Sequence, residues 1–108
     1  MGIYNTITLS IGRNINNKAM EAGEWYLFRR QARAILEQAG GHIVADTTGA
    51  GVYDGVEEES AVFIALNVNN IEEARDRIAQ LLSAYNQEAA GFTIDLMPEL
   101  LYSARAMV

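Results

Sequence analysis

The clearest pattern in the chain is a continuous apolar run at residues 60–68, which predicts a central β-strand. The run is rich in β-branched and aromatic residues and too short for a lone buried helix. One face of this strand carries Ala61, Phe63 and Ala65, and the other carries Val62, Ile64 and Leu66. A strand with two apolar faces must be covered on both. The pattern does not decide which of the two sets faces the helices.

The first third of the chain predicts a strand, a loop and a helix. Residues 3–11 place isoleucine and leucine on one side and mainly hydroxyl residues on the other, which is typical of a half-buried strand. Turn residues follow, and residues 12–23 are predicted to be a loop. Apolar residues at spacings of three and four then predict an amphipathic helix over residues 24–38. Gly40 and Gly41 should end it.

Strand character returns at residues 42–53, and the pair Asp54-Gly55 favours a type I′ turn back into the central strand. The glycines within residues 47–51 predict a bulge or bend in this hairpin. A second helix should begin after Asn70, because Glu73 stands at capping-box spacing, and should end near Gly91.

A last strand is expected at residues 92–97, with Pro98 ending it. The tail, residues 99–108, is apolar enough to predict that it docks on the fold. The predicted order is therefore strand, helix, strand, strand, helix, strand. This order indicates a single α+β domain over residues 1–108 of the ferredoxin-like βαββαβ type, with a four-stranded antiparallel sheet and both helices on one face.

Composition narrows the class of protein. The 108 residues are half hydrophobic and carry a net charge of −6, as expected for a globular protein. That charge argues against general nucleic-acid binding, which needs a basic face. No apolar run is long enough to cross a membrane and no secretion signal is visible, so we expect a cytoplasmic protein. The absence of cysteine excludes thiolate metal sites and cysteine nucleophiles.

No catalytic or metal-binding motif stands out, and we predict no cofactor and no metal. Gly49-Ala50-Gly51 lies inside a predicted hairpin rather than before a helix, so a glycine bulge explains it better than a phosphate-binding loop. His42, the single histidine, needs a partner such as Asp46 or Asp95 to act as a base. The acidic run at residues 57–59 points to alternate faces of a strand, and we interpret it as a solvated flank.

Two sets of residues are candidates for binding. Arg29, Arg30 and Arg33 concentrate positive charge on the first helix, where Arg33 can pair with Glu37. With apolar side chains these arginines form the candidate partner-binding set: Arg29, Arg30, Arg33, Phe63, Leu100, Leu101 and Tyr102. Four polar or aromatic residues form the candidate set for a small-ligand pocket: Tyr4, Trp25, His42 and Asp95. Trp25 also belongs to the apolar stripe of the first helix, which favours a place in the core.

One resemblance rests on short motifs in the first half of the chain: Gly12-Arg13, Glu24-Trp25, Phe28, Gly41, Val44, Asp46 and Gly49. This series resembles the pattern of a bacterial family of small proteins of unknown function. The secretion signal usual in that family is absent. Because the family has no assigned chemistry, the resemblance implies no catalytic residues.

Two functions of different classes are compatible with the sequence. The first is a non-catalytic interaction or regulatory module, such as an accessory protein of a phage or other mobile element that binds a host protein. The alternative is a cofactor-independent small enzyme or ligand binder with a pocket on the sheet face or at a subunit interface. The uncovered sheet face also predicts a homodimer, unless the tail covers that face itself.

Overall fold

The computed structural model of the chain describes residues 5–95 and 97–104, and for residues 97–100 it describes the backbone alone. In chain order the described residues form these elements: β1 (Thr6–Gly12), β2 (Asn14–Ile15), β3 (Lys18–Ala19), α1 (Ala22–Gln38), β4 (His42–Tyr53), β5 (Val56–Leu66), α2 (Ile71–Ala84), β6 (Ala89–Ile94) and β7 (Met97–Tyr102). Neither helix has the length and apolar character needed to cross a membrane.

Five of these strands form one antiparallel sheet in the order β4-β5-β1-β6-β7, while β2 and β3 pair with each other. The α+β class is confirmed, but the predicted sheet is one strand short. The predicted last strand, residues 92–97, is divided by a turn at Asp95, which has a positive φ of 55°. Pro98 therefore lies in an edge strand rather than ending one, where its missing N–H costs no ladder bond.

The pairing of β1 with β5 decides which face of the central strand the helices cover. Phe63 lies opposite Leu9, and both are buried together with side chains of α1 and α2. Ala61 and Ala65 share this face, because they alternate with Val62 and Ile64 along the strand. Val62, Ile64 and Leu66 therefore belong to the opposite face, which we call the open face of the sheet.

The two helices lie on one side of the sheet, as the sequence predicts. In α1 the buried residues are Trp25, Phe28, Ala32, Ile35 and Leu36. The helix ends in a Schellman-type arrangement, since Gly40 has a φ of 92° and the N–H of Gly41 donates to the Leu36 carbonyl at 2.9 Å. In α2 the side chain of Asn70 accepts from the N–H of Glu73 at 3.2 Å, which confirms the predicted cap.

Two element boundaries differ from the prediction. The second helix ends at Ala84 rather than near Gly91, because the chain turns at Asn86 with a φ of 57° and residues from Ala89 onward pair with β1 and β7. In addition, the register shift in β4 falls between Ile43 and Ala45, whereas the glycines of the same strand remain in regular register. The predicted position of the bulge was therefore wrong.

The predicted β4–β5 hairpin is confirmed, with positive φ at Asp54 (51°) and Gly55 (77°), as a type I′ turn requires. In the segment predicted to be a loop, β2 and β3 form a small second hairpin that turns at Asn16 and Asn17. Residues 97–102 extend the sheet edge as β7, and the described part of the tail does not lie across the open face. Leu101 packs partly against the core, while Tyr102 is exposed.

Candidate functional site

A cleft of about 490 Å³ opens where β1 ends and β5 begins. Three parts of the chain surround it: the tip of the β4–β5 hairpin at residues 51–56, the β2–β3 hairpin, and residues 86–91 before and within β6. Its floor includes Ser10, Gly12 and Ser60, which lie on the open face of β1 and β5. The cleft therefore gathers segments that are up to about 80 residues apart in sequence.

The lining of this cleft is acidic. Asp54, Glu58 and Glu88 supply three carboxyl groups, and no lysine, arginine or histidine is among the described lining residues. Tyr53 adds an aromatic ring at the hairpin tip. Partial burial raises the pKa of Tyr53 above its ordinary value, and the negative charge of Glu88 adds to this effect. The tyrosine is therefore a neutral hydrogen-bonding group at ordinary pH.

Glu58 is held more firmly than a surface carboxylate. Its Oε2 accepts a hydrogen bond from the backbone N–H of Asn14 at 2.7 Å, and its carboxyl group lies directly over Gly12. The carbonyl of the same Asn14 accepts from Nε2 of Gln87 at 2.8 Å. Gln87 is 8% exposed, a degree of burial that is unusual for a glutamine.

Strand geometry separates the three consecutive glutamates that precede the central apolar run. Glu58 points to the open face, whereas Glu59 lies on the helix side, where its Oε2 accepts from Nε1 of Trp25 at 2.6 Å. Arg13 forms an ion pair with the same Glu59 at 3.4 Å. The predicted interpretation as a solvated flank therefore fits Glu57 and Glu59, which are both exposed, although Glu59 also bonds to Trp25 and Arg13. It does not fit Glu58, which is half-buried.

Three of the four residues proposed from the sequence for a ligand pocket lie away from this cleft. Trp25 is buried in the core under α1. His42 is exposed at the start of β4, and Asp95 uses its Oδ1 to accept from the N–H of Thr6 at 3.0 Å. Both lie at the end of the sheet opposite the cleft, since Leu66 pairs with His42 and with Thr6. Tyr4 lies outside the described residues.

The arginines of α1 contact residues of their own chain. Arg33 forms an ion pair with Asp46 at 2.7 Å and one with Glu37 at 3.6 Å, the second of which the sequence predicts. The hydrogen bond to Asp46 raises the pKa of Arg33 above its ordinary value. Arg29 and Arg30 lie over the rings of Trp25 and Tyr26, at 5.8 and 5.7 Å from the ring centroids.

The apolar members of the predicted partner-binding set are dispersed. Phe63 is 1% exposed on the helix-covered face. Leu101 packs partly against the core, and Tyr102 is exposed in β7. Leu100 pairs with Gly91 in register, and its side chain lies outside the description. Because Phe63 is buried, it does not share an exposed surface with the arginines of α1.

Sequence reasoning did not find the cleft. Its chemical groups come from separate segments, each of which resembles ordinary loop or strand sequence. One feature of the sequence does indicate part of the cleft: side chains alternate along β5, so Glu58 and Ser60 lie on the same face of the sheet. The described residues contain no cluster of histidine, cysteine, aspartate or glutamate side chains that could hold a metal ion.

Comparison with known proteins gives a fold relationship. No family model matches the chain, and no curated protein matches it. Among solved structures, a phage SAM lyase in the apo state matches with a TM-score of 0.64 and 13% identity, over 93% of this chain and 90% of the other. A phage SAM lyase in complex with S-methyl-5′-thioadenosine matches with a TM-score of 0.58 and 13% identity, over 92% and 89%.

These two structures correct the functional prediction. Both carry this fold almost over its full length, and both are enzymes, one of them with a small nucleoside ligand bound. The prediction of a non-catalytic interaction module that binds a host protein is therefore wrong. The alternative, a small enzyme or ligand binder, agrees better with this relationship and with the acidic cleft.

Proposed function

We propose that the protein is a small-ligand enzyme of the SAM lyase type and that the acidic cleft binds its substrate. The observation that carries the proposal is the lining of the cleft, which combines three carboxyl groups with an aromatic ring and no basic side chain. A fold shared with two phage SAM lyase structures supports the choice of ligand. These two observations are independent, because the first comes from the residues that line the cleft and the second from the similarity of the fold to other structures.

The charge of the cleft suits a sulfonium. SAM carries a permanent positive charge on its sulfur, and carboxylates within about 4–6 Å favour a cation by Coulomb attraction. Asp54, Glu58 and Glu88 supply such groups. The net charge of −6 of the whole chain should further increase the rate at which a cation arrives.

The shape of the cleft suits a nucleoside. Its volume of about 490 Å³ lies in the range of small-molecule sites. Tyr53 can offer a ring face to an adenine base, and Asn14 and Asn16 line the cleft with groups that can donate to or accept from a base or ribose. No other described part of the sheet combines these groups.

The same charge arrangement favours turnover. In a lyase reaction that uses no water, the substrate's own carboxylate oxygen can form a bond to the γ-carbon of the four-carbon chain as the bond from that carbon to sulfur breaks. The electron pair of the broken bond stays on sulfur, so the products are a cyclic ester (lactone) of the four-carbon chain and S-methyl-5′-thioadenosine, whose sulfur is neutral. The carboxylates therefore attract the substrate more strongly than this product. Product release follows from the loss of charge.

The direct test is incubation of the purified protein with SAM and detection of S-methyl-5′-thioadenosine by liquid chromatography and mass spectrometry. We expect time-dependent formation that the double variant Asp54→Asn, Glu58→Gln lowers by about tenfold or more. Glu72→Gln is the matched control, because Glu72 is an exposed carboxylate of α2 far from the cleft. Product formation no faster than in a buffer blank would refute the proposed function.

Two further proposals concern the whole molecule. We propose that the fold is a ferredoxin-like βαββαβ unit to which β7 adds one edge strand; the order β4-β5-β1-β6 of the other four strands supports this. We also propose a homodimer. The open face with Val62, Ile64 and Leu66 is covered neither by a helix nor by β7 in the described part of the chain, and a second copy can bury it.

A further inference from the structure

We infer that Gly12 and Gln87 are positioning residues that place the Glu58 carboxylate in the cleft, and that this placed carboxylate makes the site prefer a cationic thioadenosine over a neutral one. The inference rests on the proposed function and adds to it the residues that determine specificity. It follows from three contacts that meet at the start of β2.

The first contact orients the carboxylate. The backbone N–H of Asn14 donates to Oε2 of Glu58 at 2.7 Å, a short bond of the charge-assisted kind. One carboxylate oxygen is thereby fixed by the protein backbone. The carboxylate needs no side-chain cation to hold it, so its negative charge is not neutralised by this contact.

The second contact fixes Asn14 itself. Nε2 of Gln87 donates to the Asn14 carbonyl at 2.8 Å, and Gln87 is 8% exposed. A buried glutamine that bonds across 73 residues of sequence holds β2 against the chain segment between α2 and β6. The peptide units on both sides of Asn14 are therefore held, one through its N–H and the other through its carbonyl.

The third contact is between the Glu58 carboxyl group and Gly12, which has no side chain and so leaves room for that group. A Cβ at this position would overlap the Glu58 carboxyl group, at 2.7 Å from Oε2 and closer to its other atoms. Any residue other than glycine must therefore displace the carboxylate. Gly12 lies in regular β1 pairing opposite Ser60, and the group in its way is the end of a flexible side chain. Alanine here should move the carboxylate without preventing folding.

Placement matters because Coulomb attraction depends on distance. A carboxylate at about 4 Å from a sulfonium contributes far more than one that has rotated into solvent, where water screens it. Asp54 is exposed in the β4–β5 turn and Glu88 is exposed just before β6, and neither carboxylate bonds to another described residue. Glu58 is therefore the carboxylate whose position the fold determines.

The experiment compares two probes that differ by one methyl group and one positive charge: S-methyl-5′-thioadenosine and its S-methylated sulfonium. Neither carries the four-carbon chain, so the proposed lyase reaction cannot consume them. Isothermal titration calorimetry at low salt gives both dissociation constants. For the wild type we expect the sulfonium to bind at least about tenfold more tightly than the thioether.

In Gly12→Ala we expect this ratio to fall to about one while the affinity for the thioether stays within about twofold. Gln87→Leu should lower the ratio in the same direction, because Asn14 loses its second contact. Glu58→Gln, which keeps an acceptor for Asn14 but has no charge, should abolish the preference without any steric change. Gly49→Ala is the matched control, since a Cβ there meets nothing within 4 Å and Gly49 lies outside the cleft.

Several outcomes would overturn the inference. A wild-type ratio retained in Gly12→Ala, or equal weakening of both probes, would show that Gly12 does not determine charge selectivity. If Gly12→Ala does not fold, the other two variants decide. A wild-type ratio of the two dissociation constants in both Glu58→Gln and Gln87→Leu would show that the placed Glu58 carboxylate does not determine charge selectivity. A wild type that binds both probes equally refutes this inference alone, whereas one that binds neither refutes the proposed function as well.

Discussion

At the scale of single residues, the consecutive glutamates of β5 illustrate how one local pattern serves different purposes. Glu57 is exposed, Glu58 lines the cleft, and Glu59 accepts the Nε1 hydrogen of the buried Trp25. The indole is 3% exposed, so its N–H would lack a partner without Glu59. A buried donor left unpaired costs more than the bond itself contributes.

Trp25→Phe should therefore lower the free energy of unfolding by about 1.5–3 kcal/mol, because it removes a hydrogen bond to a charged acceptor and leaves the Glu59 carboxylate with less support. Urea denaturation followed by circular dichroism measures this. Tyr26→Phe is the control on the next residue of the same helix. Tyr26 is 52% exposed, and the loss of its contact with Arg30 should change stability by less than about 0.5 kcal/mol. Equal effects of both substitutions would contradict the prediction.

At the scale of elements, α2 shows how far helical periodicity describes packing. Ile78, Leu81 and Leu82 are apolar residues at helical spacing, which predicts that all three face the core. Ile78 and Leu82 are fully buried, whereas Leu81 is only half-buried at the margin of the core. A helix face is about 100° wide or more, and residues at its margin retain contact with water.

We therefore expect unequal effects along α2. Ile78→Ala should destabilise the protein by about 2–5 kcal/mol through the lost burial and the cavity, and Leu81→Ala by clearly less. Glu72→Ala, on the exposed face, should stay within about ±0.5 kcal/mol. Denaturant midpoints measured under one set of conditions give all three values. A larger loss of unfolding free energy for Leu81→Ala than for Ile78→Ala would mean that α2 is rotated about its axis relative to the structure.

At the scale of the whole molecule, the sheet has one face under the helices and one face open. Apolar side chains are exposed along the edge strand and its hairpin, among them Val44, Val52 and Val56. An edge strand of twelve residues with few charges is an unprotected pairing surface. The proposed homodimer would remove part of this exposed area from water.

Size exclusion coupled to light scattering at tens of micromolar protein should give a mass about twice the 11.9 kDa of one chain. Ile64→Lys, which places a charge on the open face, should shift the mass to that of one chain. Leu27→Lys is the control, because Leu27 is an exposed apolar residue of α1 on the opposite side of the molecule. A wild-type mass near 12 kDa would end the dimer proposal.

Features that depend on neighbours in sequence could be predicted from the sequence alone. The turn at Asp54-Gly55, the cap at Asn70 and the stop at Gly40 each rest on residues within one turn of chain, and the structure contains all three. Periodicity likewise predicts the two helices and most of the strands, since apolar spacing reports which face is buried. Turns, caps and periodicity depend on residues close together in sequence, so they can be recognised from the sequence alone.

Tertiary structure alone decided the fifth strand, the face of β5 that the helices cover, and the cleft. The sequence predicts that the last strand ends at Pro98 and that the tail begins at residue 99, and only pairing with β6 makes residues 97–102 a separate strand. The cleft depends on Gly12, Asn14, Glu58 and Gln87, which approach one another through sheet pairing and the return of the chain after α2. No local pattern encodes such a juxtaposition, because the bonds that create it join backbone and side-chain groups 44 and 73 residues apart.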